Sequence, residues 1–554
     1  MAAAGREHVV TVGWTLDKGT PGGAKWTGAT SHGGRGGGVV DAGLPIIYVR
    51  GFAGRTSGID AAVDDPFYGF NLGSVHVRVG GSGQPLFHQF ESPLLRLMLD
   101  HDYALEVHGG QRAWLAEQAD DSVEARSIWV HRFYDVSAST WGDDPERFEL
   151  EAAAEDLLEL ITLVRARTGA PRVHLVAHSM GGLICRCLLQ KIIPEHHTRD
   201  GGPRAAELVA RLFTYATPHG GIAFDVGFGL LERLRDTFGI AGADIFGPDR
   251  MHAYLTPGEA GRRPAGWRAE DLPAEAFPHD RVFCLVGTNP EDYDVAWGLS
   301  AKAVGARSDG LVQTDRAAVT GAHTAYVHRS HSGRYGIVNS EEGYQSLRRF
   351  LFGDLAVDAR LTGLDLPTGG DLVWQADVEL AVRGLPVLLH QRSAAHHCPV
   401  ALTRPDGSVP AEVPLLSTFL LTDPADRPAE AATARYSLHL RVFALRERRG
   451  VFDFRDHLEQ SADVEDLLVI DLGAREGVLA AWAVWNSELA APLRDYTPSG
   501  APLTHEPADD GSWSVSVPLP ATAREITGAE AAIHLAITDR SHHSAEALTR
   551  PGLR

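Results

Sequence analysis

The chain is poor in cysteine and in positive charge, and it has no long apolar run; each shortage closes off a class of protein. Four cysteines among 554 residues cannot build the dense disulfide framework of a small secreted scaffold. Two of them, Cys185 and Cys187, stand two apart on an expected helix, where their side chains diverge. Lysine and arginine number 51 against 72 acidic residues, a formal net charge of -21 at pH 7. Such a field repels phosphate backbones and anionic lipid surfaces, so nucleic acid is a poor partner unless local basic patches exist. No stretch is apolar for the length of a membrane span, and the opening MAAAGREHVVTVGWTLDK lacks a charged segment followed by an apolar one. The expectation is a cytoplasmic protein, with leaderless export as the alternative.

What is present is the composition of an ordinary globular protein, 44% hydrophobic and 22% charged, which excludes a disordered or fibrous chain. The length exceeds what one core serves, so two or more domains are expected. Residues 1–43 hold one expected strand, His8 to Trp14, and the glycine-rich stretch GTPGGAKWTGATSHGGRGGG, which reads as a surface loop. Short apolar runs then alternate with helical ones: LPIIYVR (44 to 50), SIWVHRFY (127 to 134), RVHLVAHS (172 to 179), RLFTYAT (211 to 217), RVFCLVGT (281 to 288) and HTAYVH (323 to 328). Runs apolar on both faces suit parallel strands covered by helices. Ser92-Pro93 offers a cap and first-turn proline before LLRLMLDH; Leu150, Leu157, Leu158, Ile161 and Val164 make one helical stripe; a third helix is expected to start near Asn339, with Glu342 three places on. The alternation predicts a doubly wound α/β domain over 44–353.

After about residue 360 the period changes to two. Val378, Leu380 and Val382, then Leu438, Leu440 and Val442, then Val515 and Val517, then Ile533, Leu535 and Ile537 alternate with other residues between turn-forming stretches. Residues 360–554 are therefore expected to form an antiparallel β-sandwich-like domain, with no internal repeat of fixed period. Its histidines and carboxylates are scattered, which favours accessory binding or packing over chemistry.

The segment Ala177-His178-Ser179-Met180-Gly181-Gly182 carries the strongest chemical signal, because it joins the strand RVHLV to the helical LICRCLLQKI. Small residues two before and two after a serine permit a sharp strand-to-helix turn that lifts Ser179 Oγ from the sheet edge and aims a helix N-terminus at the reacting group. The bland alternative is a helix-capping serine in a chance turn. Metal signals are weak: His196-His197, His396-His397-Cys398 and His542-His543 lack zinc-ligand spacing.

On these motifs the chain resembles the α/β-hydrolase superfamily, and within it the bacterial lipases and esterases, over roughly 44–353. Ala177 replaces the first glycine of the usual pentapeptide, as in some lipase groups. The resemblance implies that Gly51-Phe52-Ala53-Gly54 supplies an oxyanion loop, with the Phe52 and Met180 amides as donors; Arg50 stands where histidine is common. It places the general base after the last strand, which favours His331, with His328 next, over His323 within that strand. The acid falls between RVFCLVGT and the histidine. Asp309 in SDGLV matches the family pattern and is favoured over Asp292 or Asp294. Pro218-His219-Gly220-Gly221 resembles a turn beside lipase active sites, and residues 222–280 fall where a cap is usual. His178, His219, Phe224 and Phe228 are the expected substrate-binding residues, Phe224 and Phe228 on an apolar cap face that also holds Leu231, Leu234 and Phe238; a cap helix packed simply as core is the alternative. Gly333 occupies the position of a calcium-ligating aspartate in some lipases, so no calcium site is expected, and no cofactor. The implied activity is serine-dependent hydrolysis of a small-molecule or lipid ester. Amide or thioester cleavage, acyl transfer and a silent hydrolase-like binding protein are the alternatives.

Overall fold

The computed structural model describes residues 43–51, 64–79, 84–106, 110–133, 148–222, 245–258, 261–291, 307–333, 335–369, 372–446, 462–507, 512–541 and 544–553. The expected strand and glycine-rich loop at 1–42, Phe52, Phe224, Phe228, Asp292, Asp294 and His542-His543 lie outside them.

The first part is built on strands β1 (Ile46–Val49), β2 (Ser74–Val79), β3 (Pro85–Phe90), β4 (Ala104–Leu105), β5 (Ser127–His131), β6 (Val173–His178), β7 (Val209–Tyr215), β8 (Val282–Gly287) and β9 (His323–Val327). Seven of these pair in the order β4-β5-β1-β6-β7-β8-β9, every neighbouring pair parallel. The remaining two, β2 and β3, form a separate hairpin that the apolar pattern does not announce. Strands β1, β5 and β8 are buried at every position, as continuous apolar runs require when both sheet faces are covered.

Helices supply that cover. On one face α1 (Leu150–Thr168) buries Leu150, Leu157, Ile161 and Val164 beside α2 (Met180–Cys187); Leu158 is only partly buried, and Leu160 takes the deeper place. On the other, Pro93–His101 and α3 (Glu341–Phe352) close over Ile46, Tyr48, Phe213 and Phe283. Ser92 caps the Pro93–His101 helix by accepting from Leu95 N–H. The α3 cap is Ser340, whose Oγ accepts from Gly343 N–H at 3.0 Å, not Asn339, whose side chain donates instead to Gly69 O at 3.0 Å. Because β1 lies between β5 and β6, the chain runs one way from β1 and then the other; the crevice at the carboxyl ends of β1 and β6 is where such sheets bind ligands.

The antiparallel part starts at Leu355, earlier than the period-two residues suggest. Strands β10 (Leu355–Thr362), β11 (Leu372–Val382), β12 (Leu388–Arg392), β13 (Val400–Ala401), β14 (Glu412–Leu420), β15 (Ala434–Arg446), β16 (Val464–Arg475), β17 (Val478–Trp485), β18 (Glu506–Pro507), β19 (Trp513–Pro518) and β20 (Ala532–Asp539) form two sheets. One has the order β14-β10-β20-β19-β18 and the other β12-β11-β15-β16-β17, with β13 on β11. Val378, Leu440, Val515 and Leu535 from both sheets share one core, the arrangement of a β-sandwich. The fold is thus an α/β-hydrolase-type, doubly wound parallel sheet followed by an antiparallel β-rich part. All four cysteines are buried and free. No helix among the described residues is long and apolar enough to cross a membrane.

Candidate active site

Strand β6 ends at His178 and α2 begins at Met180, so the chain must reverse within Ser179. It does so at φ 54°, ψ -128°, a sparsely populated conformation that costs on the order of 1–3 kcal/mol and persists only where neighbours enforce it. Those neighbours are visible: Ser179 N–H donates to Tyr215 O at 2.9 Å, and Thr217 Oγ1 donates to Ser179 O at 2.8 Å. Glycine is required around the turn by space. A Cβ on Gly181 would come within 2.3 Å of Val49 O, and one on Gly51 within 2.6 Å of Ser179 Cβ. The end of β1 and the turn after β6 are thereby pressed together at the crevice. Met180 is the first helical residue after Ser179, and amides of a first helical turn have no intrahelical partner.

His331 Nε2 lies 2.9 Å from Ser179 Oγ, and His331 Nδ1 lies 2.9 Å from Asp309 Oδ2. All three side chains are buried. The other carboxylate oxygen, Oδ1, accepts from Leu311 N–H at 3.0 Å and Val312 N–H at 2.7 Å, so Asp309 is fixed by its own turn while Oδ2 faces the imidazole. The backbone adds a second link, His331 N–H to Asp309 O at 2.9 Å. With Nδ1–H pointing at the carboxylate, Nε2 carries the lone pair that faces the serine hydroxyl. The loop holding His331 is anchored by Arg329, which makes two 3.0 Å bonds to the Glu342 carboxylate on α3.

His178 is half-buried, and its Nε2–H donates to His331 O at 2.9 Å. Burial, and then the neighbouring His331, lower its pKa to about 3, so the ring is neutral at pH 7 and holds the loop that carries His331. His219 is fully buried. Thr214 Oγ1 donates to Phe283 O at 3.3 Å and so receives from His219 Nε2 at 3.1 Å; burial, followed by Arg186, pushes its pKa well below the ordinary value. The expected substrate contact is thus turned into the interior beside β7 and β8, because the turn after β7 folds back onto the sheet. His328 sits just past β9 and takes no part in the Ser179–His331–Asp309 chain, and His323 pairs with Asp358 at 3.4 Å.

Sequence reasoning missed Thr217, the Arg329–Glu342 pair and Arg186. Arg186 is fully buried on α2 and donates to His219 O at 3.1 Å, Ala269 O at 2.6 Å, Asp271 O at 2.8 Å and Gln190 Oε1 at 2.8 Å. A lone arginine within the apolar helix LICRCLLQKI was the available signal. Among the described residues no group of three His, Cys, Asp or Glu side chains could hold a metal ion.

A family model described as the alpha/beta hydrolase fold matches residues 131–198, the segment that carries the end of β5, α1, β6, Ser179 and α2. Over that segment, and in its strand order and Ser179 turn, the chain is similar to the α/β-hydrolase superfamily. Solved structures similar to it include the lin2722 gene product of Listeria innocua, at 14% identity over 56% of this chain and 94% of that one with a TM-score of 0.24. A candidate cell-surface hydrolase of Lactobacillus plantarum WCFS1 follows at 10% identity, over 56% and 92% of the two chains, with a TM-score of 0.22. Cfl2 of Burkholderia cenocepacia is similar at 15% identity over 57% and 88%, also with a TM-score of 0.22. No curated protein matches the sequence.

Proposed function

We propose that the protein is a serine hydrolase of carboxylic esters, acting on a small-molecule or lipid ester through an acyl-enzyme. The observation that carries this reading is the unbroken chain Ser179 Oγ, His331 Nε2, His331 Nδ1, Asp309 Oδ2, with 2.9 Å at each hydrogen bond. In it, His331 takes the Ser179 proton as Oγ attacks the ester carbonyl. The ester carbon–oxygen bond then breaks, and the alkoxide leaves with that proton. Water attacks the acyl-serine with His331 again as base, and Ser179 is regenerated. Asp309 holds the tautomer and stabilises the imidazolium. The negative oxygen of each tetrahedral intermediate is assigned to the Met180 amide, where the partial positive charge of α2 adds to the field, and to the Phe52 amide by the family's pattern. The SDGLV and TPHG contexts favour esters over amides.

The experiment is hydrolysis of p-nitrophenyl esters of graded acyl length, paired with labelling by a fluorophosphonate. Labelling at Ser179 and loss of turnover in Ser179→Ala, on the order of 10⁶-fold as for the subtilisin serine, are expected. An active Ser179→Ala enzyme overturns the assignment of the nucleophile, while labelling without ester turnover points to the amide, thioester or transfer alternatives.

A further inference from the structure

The antiparallel part reaches the same edge of the parallel sheet that carries Ser179, Asp309 and His331. After β12 the chain makes one tight turn, residues 393–398, and the turn is braced from its own sheet. Ala394 N–H donates to Asp377 Oδ1 at 2.8 Å, Cys398 N–H to Ser393 O at 3.0 Å, and Arg392 Nε to Cys398 O at 3.0 Å. What this turn presents to the α/β part is His396, whose ring stacks on that of His328 with centroids 3.7 Å apart and planes 12° from parallel.

His328 stands directly after β9 and three residues before His331. Thr288 stands directly after β8, with its Oγ1 3.4 Å from His328 Nδ1, and the next amide, Asn289 N–H, donates to Arg329 O at 3.2 Å. On the other side of that strand end lies the acid: a Cβ on Gly287 would come within 2.8 Å of Asp309 Cβ. The ends of β8 and β9 thus lie between His396 and the two residues that must be registered on Ser179. Burial, and then the neighbouring His328, lower the His396 pKa to about 4, so at neutral pH this ring stacks uncharged.

We propose that His396 is a positioning residue for the reaction: held by the antiparallel part, its ring fixes His328 and, through the ends of β8 and β9, the registration of His331 and Asp309 on Ser179. This rests on the serine-hydrolase reading above. A stacked aromatic pair is a planar, largely non-polar contact, so a phenyl ring should replace the imidazole and a methyl group should not.

The test uses the full chain and the best p-nitrophenyl ester, with rates of fluorophosphonate labelling at Ser179 as a second readout. His396→Ala is expected to lower kcat and the labelling rate by about tenfold with KM little changed, less than the ~10²-fold that a 1 Å misplacement costs. His396→Phe should restore most of the loss. The double variant His328→Ala/His396→Ala should lose no more than the worse single variant, because both remove one contact. Near-parental kcat and labelling in His396→Ala, equal loss in His396→Phe, or multiplying losses in the double variant would each overturn the positioning role. If the alanine variant does not fold, His396→Phe and His396→Leu decide on the same readouts: the role fails if leucine serves as well as phenylalanine. A parent protein that neither labels at Ser179 nor turns over ester would instead sink the hydrolase reading itself, so the two failures are distinguishable.

Discussion

At the scale of single residues, the site depends on two carboxylate oxygens with separate work. Asp309 Oδ1 is occupied by two backbone amides and Oδ2 by His331 Nδ1. Asp309→Asn keeps the shape but can turn an NH₂ toward the imidazole, which then places its proton on Nε2 and loses the base. The expected outcome is a fall in kcat of about 10⁴-fold, as for the equivalent change in a chymotrypsin-type triad, with the thermal midpoint nearly unchanged. An asparagine variant at parental kcat would move the acid elsewhere, with Asp292 and Asp294 the next candidates. That Ser179, Asp309 and His331 come together was legible in the sequence, because each sits at a fixed place in a strand-loop-helix order. His219 misled for the opposite reason. Its motif marks a turn next to the site, yet motif spacing does not say to which side a ring points, and here hydrogen bonding to Thr214 decides it.

At the scale of elements, the sequence announced what has a period and missed what depends on a partner. The apolar runs of β1, β5, β6, β7, β8 and β9 show in their composition, whereas β4 has only two residues and the β2–β3 hairpin exposes Val75, Val77 and Phe87, so neither carries a burial pattern. Helix α2 shows what such hidden partners do. Arg186 breaks its apolar face and instead ties three carbonyls, from His219, Ala269 and Asp271, joining the helix that follows Ser179 to the turn after β7 and the chain before β8. Burial lowers its pKa to about 10, which still leaves it charged at pH 7. Arg186→Met keeps the length and removes the donors. Unpaired buried acceptors cost about 1–3 kcal/mol each, and relief from burying a cation offsets part of that. The net expectation is a loss on the order of 2 kcal/mol, seen as a lower thermal midpoint; an unchanged midpoint would mean the carbonyls find other donors.

At the scale of the whole molecule, two consequences follow from how much is buried. The first is sensitivity to acid. Burial lowers the pKa of His131, His178 and His390 to about 3 from an ordinary 6.5, so between those values the unfolded chain binds more protons than the folded one. Stability therefore rises with pH through that window and falls as pH drops below about 6.5. A thermal midpoint that stays flat from pH 7 to pH 4 would contradict those burials. The second concerns autonomy. Helix α3 is buried at every position from Glu341 to Leu351, because the parallel sheet covers one side and the antiparallel part the other. Phe419 of β14 meets Phe350 at 5.2 Å and Phe283 at 5.9 Å. Arg540 donates twice to Phe350 O at 3.1 Å, Arg348 bonds Asp426, and Asp354 accepts from Thr422 N–H at 2.9 Å. Uncovering Phe283 and Phe350 forfeits up to about 3–6 kcal/mol at roughly 1.5–3 for each, against a total stability of about 5–15 kcal/mol for a typical domain. Arg348 also loses its ion pair with Asp426, keeping only its bond to His101 Nε2. A chain ending at Gly353 is thus expected to lose cooperative unfolding and fluorophosphonate labelling together, although Ser179, Asp309 and His331 are all retained in it. Calorimetry of that shortened chain decides the matter: a sharp transition with labelling at the parental rate would show that the antiparallel part is a separable attachment and that α3 finds other cover.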